Sequence, residues 1–262
     1  MITCTPCWAT VLILSVPLLL AQSVNKVAPM AKDAHPAFEV ASIKPHIGDP
    51  NHSGFSFDGD RFIIQNESVF KLINLAFRLH RNQIVGAPKW VREDAFDIYG
   101  KPDVEGEPNL LQQEEMIQKL LADRFKLQFH REQRELPVYA IRIDKGGPKL
   151  VPAADPEALA LEQGNGHGYE TTQTYTNNSM KDFARWLQFF LDRPAIDQTN
   201  LTGRYDFRLN YSYGTTEAAS VDPNAPPALF TAIREQLGLR LEPTKASVDV
   251  FVIDHIEGPS AN

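Results

Sequence analysis

"FIIQNESVFKLINLAF", from Phe62 to Phe77, passes from a strand-like run through Asn-Glu-Ser into an apolar helical pattern. "QTYTNNSMKDFARWLQFF", from Gln173 to Phe190, does the same through Asn-Asn-Ser, and the two Asn-x-Ser elements stand 111 residues apart (177 − 66). Val69, Leu72, Ile73 and Ala76 recur at helical spacing in the first copy, as do Phe183, Trp186, Leu187, Phe190 and Leu191 in the second. Ser68 and Ser179 are placed to cap the first turn, where a hydroxyl accepts from an otherwise orphan helical N–H. Each helix has one face to bury.

The repetition extends outward from this point. After each helix comes a short apolar strand, "QIVG" ending at Gly86 and "PAID" ending at Asp197, followed by a second strand, "AFDIYGK" or "GRYDFRLNY". Asp197 falls opposite Gly86, where a strand stops and the chain turns, so it reads as a turn residue rather than a catalytic carboxylate. Further on, "MIQKLLADRFKLQFHREQRELPVYAIRI" and "FTAIREQLGLRLEPTKASVDVFVIDHI" align without a gap, with Leu127 meeting Leu239 and Ile141 meeting Ile253, 112 residues apart. Each predicts a helix, an alternating half-buried strand and an apolar final strand. "PVYAIRI" and "VDVFVI" are apolar on both faces and are expected at the centres of their sheets.

The expected fold is therefore α+β, with two tandem similar domains of order strand, helix, strand, strand, helix, strand, strand at 38–147 and 167–257. Residues 148–166, rich in Gly, Pro and Ala, read as a linker. "PDVEGEP" and "SYGTTEAASVDPNAPP" read as exposed loops, and "FEVASIKP", Phe38 to Pro45, as a strand added to the first domain.

The apolar run from Trp8 to Ala21 ends in small residues and is short for a membrane span, so residues 1–23 read as a signal peptide that is removed or retained as an anchor. Cys4 and Cys7 both lie within it, leaving the mature chain without a disulfide or thiolate. A cysteine-free exported chain fits the periplasm or the medium of a bacterium, and no later segment approaches a membrane span. The net charge of −7, with no run of Lys or Arg, argues against nucleic acid as a partner.

Chemistry-bearing motifs are sparse. His35, His46, His52, His80, His130, His167 and His255 show no metal-ligand spacing, and no nucleophile elbow or phosphate loop occurs, so no metal, cofactor or catalytic set is expected. Asp97 and Asp206 occupy comparable places on the second strands and would form an acid–base pair if the repeats brought them together. His130 lies in the charged segment "HREQRE". Trp90, after Pro88, and Tyr169 are loop aromatics of the kind that anchor a partner or a sugar; Leu201 at the position matching Trp90 favours packing instead.

"FEVASIKP", "LLADRFKLQFHREQRELPVYAIRIDKGGPKL", "TGRYDF" and "VIDHIEGPSAN" together resemble a large secreted family of unknown function that is expanded in soil acidobacteria. Each repeat is similar in pattern to the short N-terminal domain of secretins and TonB-dependent receptors, which implies two helices held between small sheets and a role in docking periplasmic partners. No barrel, plug or ring follows, so transport is not implied. The expectation is a noncatalytic exported protein that docks a protein or peptide of the cell envelope, with Trp90, Tyr169 and His130 as candidate contacts. The alternatives are an envelope carbohydrate binder and a hydrolase using Asp97 and Asp206.

Overall fold

The computed structural model describes residues 27–49, 52–58, 61–167, 170–212 and 226–259. Residues 1–23, read as a signal, lie outside them, as does most of the "SYGTTEAASVDPNAPP" insertion. The first repeat contains β1 (Phe38–Pro45), β2 (Gly54–Asp58), β3 (Arg61–Ser68), α1 (Val69–Ala76), a 3-10 turn (Arg81–Gln83), β4 (Ile84–Val85), α2 (Lys89–Glu93), β5 (Ala95–Pro102), α3 (Leu110–Arg124) and β6 (Gln128–Ile143). The second contains β7 (Val151–Pro152), β8 (Leu161–His167), β9 (Glu170–Asn178), α4 (Met180–Leu187), β10 (Ala195–Asp197), β11 (Tyr205–Ser212), α5 (Leu229–Leu237) and β12 (Leu239–His255). The arrangement is mixed α+β. Its strands form three sheets, ordered β1-β5-β3-β2, β10-β6-β12-β4 and β7-β11-β9-β8.

The repeated Asn-x-Ser now has a physical cause. Asn66 and Asn177 adopt left-handed backbone, with φ of 52° and 53°, a conformation Asn tolerates better than most residues. Each interrupts the strand register just before a helix, and its N–H is turned toward a carboxylate on the neighbouring strand. Asn66 N donates to Asp97 Oδ1 at 2.9 Å, and Asn177 N donates to Asp206 Oδ1 at 2.7 Å. Two residues later the serine caps the helix, Ser68 accepting from Lys71 N and Ser179 from Asp182 N. Strand, bulge and helix start are thus fixed by three residues, the same three in both repeats.

The predicted pairs of final strands are each a single long strand, because no turn residue separates their halves. β6 and β12 run antiparallel over their whole length, Leu239 facing Ile143 and Ile253 facing Phe129. Glu135 faces Ser247 at the centre, and these occupy equivalent places (247 − 135 = 112), so the pairing has a pseudo-twofold axis there. Pro137 does not break the ladder. Tyr139 N, two residues on, donates away from β12 to Pro194 O at 2.8 Å, so the N–H that Pro137 lacks would also have pointed to the outer edge.

The short strands are exchanged. β4 of the first repeat pairs parallel with β12 of the second, Ile84 with Phe251, and β10 of the second pairs parallel with β6 of the first, Ala195 with Tyr139. The cores follow the same exchange. In the first lobe Phe62, Ile64, Leu72, Ile73 and Phe125 pack with Phe251 and Ile253 of β12; in the second Tyr175, Phe183, Leu187 and Phe207 pack with Ile141 of β6. Burying each such side chain contributes roughly 1.5–3 kcal/mol, so each lobe draws part of its stability from the other repeat. The tandem units expected at 38–147 and 167–257 therefore share one central sheet.

The expected linker, 148–166, is also partly structural: β7 pairs with β11 and β8 with β9. Its glycines misled the reading. Gly164 lies in β8 beneath the buried side chain of Gln173, whose amide would have to move to admit a Cβ.

Candidate functional site

Between the lobes β6 and β12 form a two-stranded ribbon. Arg131, Gln133, Arg134 and Glu135 on β6, and Lys245, Ser247 and Asp249 on β12, are exposed. Among the described residues no strand runs beside β6 before Tyr139, or beside β12 before Phe251. Tyr139 directs its N–H outward to Pro194, and Asp249 directs its carbonyl outward to Gln83 Nε2 at 2.8 Å. By the alternation of an antiparallel ladder, Phe129, Arg131, Gln133 and Glu135 present their amides and carbonyls to the outer edge of β6.

His130 stands on this ribbon, exposed, its Nδ1 2.8 Å from Asp254 Oδ1. The equivalent positions hold Glu242 and Arg142, whose ion pair spans 2.9 Å, so the second repeat keeps the contact with its charges reversed. Both pairs are about half exposed, where such contacts add little stability.

The other sequence-derived candidates are dispersed. Asp97 and Asp206 lie in different outer sheets, each engaged by its own bulge. Asp97 also meets His46 Nδ1 at 2.8 Å, and Asp206 Oδ2 accepts from Ala154 N at 3.0 Å. The backbone amides of Ala154 and Asn177 hold the Asp206 carboxyl below the usual carboxylate range, opposite to the shift a general acid needs. The facing acid–base pair is thus not assembled from these two carboxylates. Trp90 is partly buried against the first core and Leu201 against the second, which is packing in both repeats. Tyr169 lies outside the described residues. Asp197 Oδ1 accepts from Thr199 N at 2.8 Å and Thr199 Oγ1 at 2.7 Å, a turn closed by a side chain.

A second cluster, unsignalled in the sequence, lies where the lobes meet. His80 is buried; its Nδ1 accepts from Asn82 N at 3.0 Å, so its Nε2 carries the proton and donates to Leu191 O at 3.1 Å. His80 and Leu191 are equivalent residues (191 − 80 = 111), meeting across the pseudo-twofold. Burial holds the His80 imidazole below its ordinary range. A groove of about 210 Å³ opens beside them, walled by Phe70, Lys71, Gln188 and Phe189.

Nearby Arg78 Nε donates to Glu114 Oε1 at 2.6 Å. Burial pushes the Glu114 carboxyl up, opposed by Arg78. Glu162 of β8 is pushed up to about 7 by burial, with Arg78 opposing and Asp182 and Glu114 adding to the shift. Carboxyls from both halves of the chain thus feel the field of one arginine, which contacts Glu114 alone. Sequence reasoning missed it because Glu162 sits in the stretch read as linker, 84 residues from Arg78 (162 − 78).

Among the described residues no three His, Cys, Asp or Glu side chains gather so as to hold a metal ion, and no helix is long and apolar enough to cross a membrane. Residues 70–256 match a family model described as "Protein of unknown function (DUF3738)". No curated protein and no solved structure matches the chain.

Proposed function

The chain belongs to this DUF3738 family of unknown function, and from its own surfaces we propose that it is an exported, noncatalytic docking protein that takes an extended segment of an envelope protein or peptide onto the central ribbon. The observation that carries the reading is the free outer edge of β6, whose outward amides and carbonyls have no strand beside them from Gln128 to Val138 among the described residues. An extended chain gains affinity from main-chain hydrogen bonds on such an edge. The same edge already receives a short strand, β10, three residues long, from more than fifty residues further along the chain. Export is supported by the short apolar run from Trp8 to Ala21 with its small closing residues.

The test is site-specific cross-linking in envelope extracts, with a photoreactive residue at Gln133. Labelling of an extended segment in a partner, lost in the Arg131→Pro variant whose outward N–H is removed, is the expected result. Labelling that survives this change would place the partner elsewhere.

A further inference from the structure

We infer that the β6 edge selects an antiparallel peptide whose side chains run basic, acidic, neutral, basic, acidic from N to C terminus; this rests on the docking role proposed above. The edge residues Arg131, Glu132, Gln133, Arg134 and Glu135 alternate in sign about a neutral centre. Arg131, Gln133 and Glu135 direct their backbone groups outward, so an antiparallel strand centred on Gln133 exchanges about six hydrogen bonds with them. In that register Arg131 and Arg134 each face an acidic residue, and Glu132 and Glu135 each face a basic one. Opposite charges directly across a strand pair stabilise it, and like charges destabilise it.

Charges on an edge ordinarily keep other strands away. Here their alternation makes the exclusion selective, because a strand of the right order meets four opposite charges and its reverse meets four like ones. The present partners exchange at little cost. Arg134 contacts Glu132 along the same strand, and Lys245 lies 3.7 Å from Glu135, all of them exposed but the half-buried Glu132. Pro137 has no N–H to offer and ends the slot on one side. The equivalent edge of β12 is a poorer slot, since Pro243 removes an outward donor and the Asp249 carbonyl is already taken by Gln83.

The charge order is its own complement, so a second copy of this chain is the rival occupant. In the same register Tyr139 of a second copy would face Leu127, yet the outward N–H of Tyr139 is already given to Pro194. The copy's β10 would then lie across the path by which the first chain leaves α3. A free peptide carries no such strand.

The test measures binding of two labelled peptides to the full chain by fluorescence anisotropy, one with the core Lys-Glu-Gln-Lys-Glu and one with the reversed core Glu-Lys-Gln-Glu-Lys, each flanked by Thr-Val. The first should bind at least about tenfold more tightly. Reversing the edge charges together (Arg131→Glu, Glu132→Arg, Arg134→Glu, Glu135→Arg) should invert the preference, and Gln133→Pro should weaken the first peptide without inverting it. Equal binding of both peptides overturns the selectivity and leaves the docking role standing. No binding of either overturns the inference, and the cross-linking experiment then judges the docking role by itself. A concentration-dependent dimer abolished by the charge reversal would give the edge to a second copy and overturn the peptide as occupant.

Discussion

In the first lobe β5 is flanked along its length by β1, from Phe38 opposite Pro102 to Pro45 opposite Phe96; in the second, β11 has β7 beside it at Tyr205 and Asp206 alone, among the described residues. Farther along β11, Gln236 stands in. Its Oε1 accepts from Asn210 N at 2.9 Å and its Nε2 donates to Asn210 O at 2.7 Å, as the peptide group of a neighbouring strand would. Arg124, the equivalent residue (236 − 124 = 112), reaches instead to Ala41 O on β1 at 2.8 Å. The cores differ as well. Tyr175 replaces Ile64 and Gln188 replaces Phe77 at the 111-residue offset, and both Tyr175 Oη and Gln188 Oε1 are buried without a hydrogen-bond partner. The repeats thus keep the bulge, cap and exchanged strand while varying what covers them, and the second lobe bears more of the unsatisfied groups, although His46 Nε2 in the first is also buried without a partner.

The largest effect should come from the equivalent core residues Phe183 and Leu72, both fully buried. Phe183→Ala should cost about 3–5 kcal/mol and Leu72→Ala about 2–5 kcal/mol. Because the lobes share β6 and β12, urea unfolding of either variant followed by near-ultraviolet and far-ultraviolet signals should remain one transition. Loss of the second lobe alone, with the first still protected in hydrogen exchange, would break the comparison in favour of independent units.

At the seam the two titrating groups act in opposite directions. Glu162, raised from 4.5 to about 7, contributes stability that is full below pH 4.5 and is lost as pH rises through 7. His80, lowered from 6.5, contributes stability that is full above pH 6.5 and is lost as pH falls through its folded value. Glu162→Gln should therefore be more stable than the parent at pH 8, on the order of 2 kcal/mol, with the difference closing toward pH 4.5. Its acid-side loss should persist. Urea midpoints across pH 4–9 give the comparison, and a difference that does not change with pH would remove Glu162 as the cause.

A smaller gain is expected from Tyr175→Phe, which removes the buried unpartnered hydroxyl and should stabilise by about 1 kcal/mol in thermal unfolding. A loss instead would mean that the hydroxyl has a partner. The smallest effect concerns the turn that each repeat makes after its exchanged strand. Gly86 makes it with φ of 78°, where a Cβ would meet Ile253 O at 2.8 Å, and Asp197 makes it with its side chain. Asp197→Asn keeps the accepting oxygen and should cost less than about 0.5 kcal/mol, against about 1 kcal/mol for Asp197→Ala. Equal costs would show that the carboxylate charge matters more than the turn bond.

The helices and the Asn-x-Ser signal were legible because each is local: a left-handed residue, a cap and a periodic apolar face lie within about ten residues. The exchange was not, since Ile84 and Val85 suit either long strand equally and the choice between β6 and β12 is made by tertiary packing. The long strands read as halves because charge fills the middle of β6, where the face carrying Arg131, Gln133 and Glu135 is exposed. Among candidate contacts, His130 does lie on the exposed ribbon, Trp90 is half-buried on a core, and the seam around Glu162 was invisible because its members are far apart in sequence.

A disulfide reports the reciprocal exchange of β4 and β10 directly. With Cys4 and Cys7 replaced by serine, Val85→Cys should oxidise with Val252→Cys, its partner across the exchanged pair. Val85→Cys should not oxidise with Ala140→Cys, the equivalent residue on its own repeat's long strand (252 − 140 = 112). Formation of the Val252 bridge in the monomer, with the Ala140 pair remaining as free thiols, is the predicted result; a bridge to Ala140 and none to Val252 would contradict it.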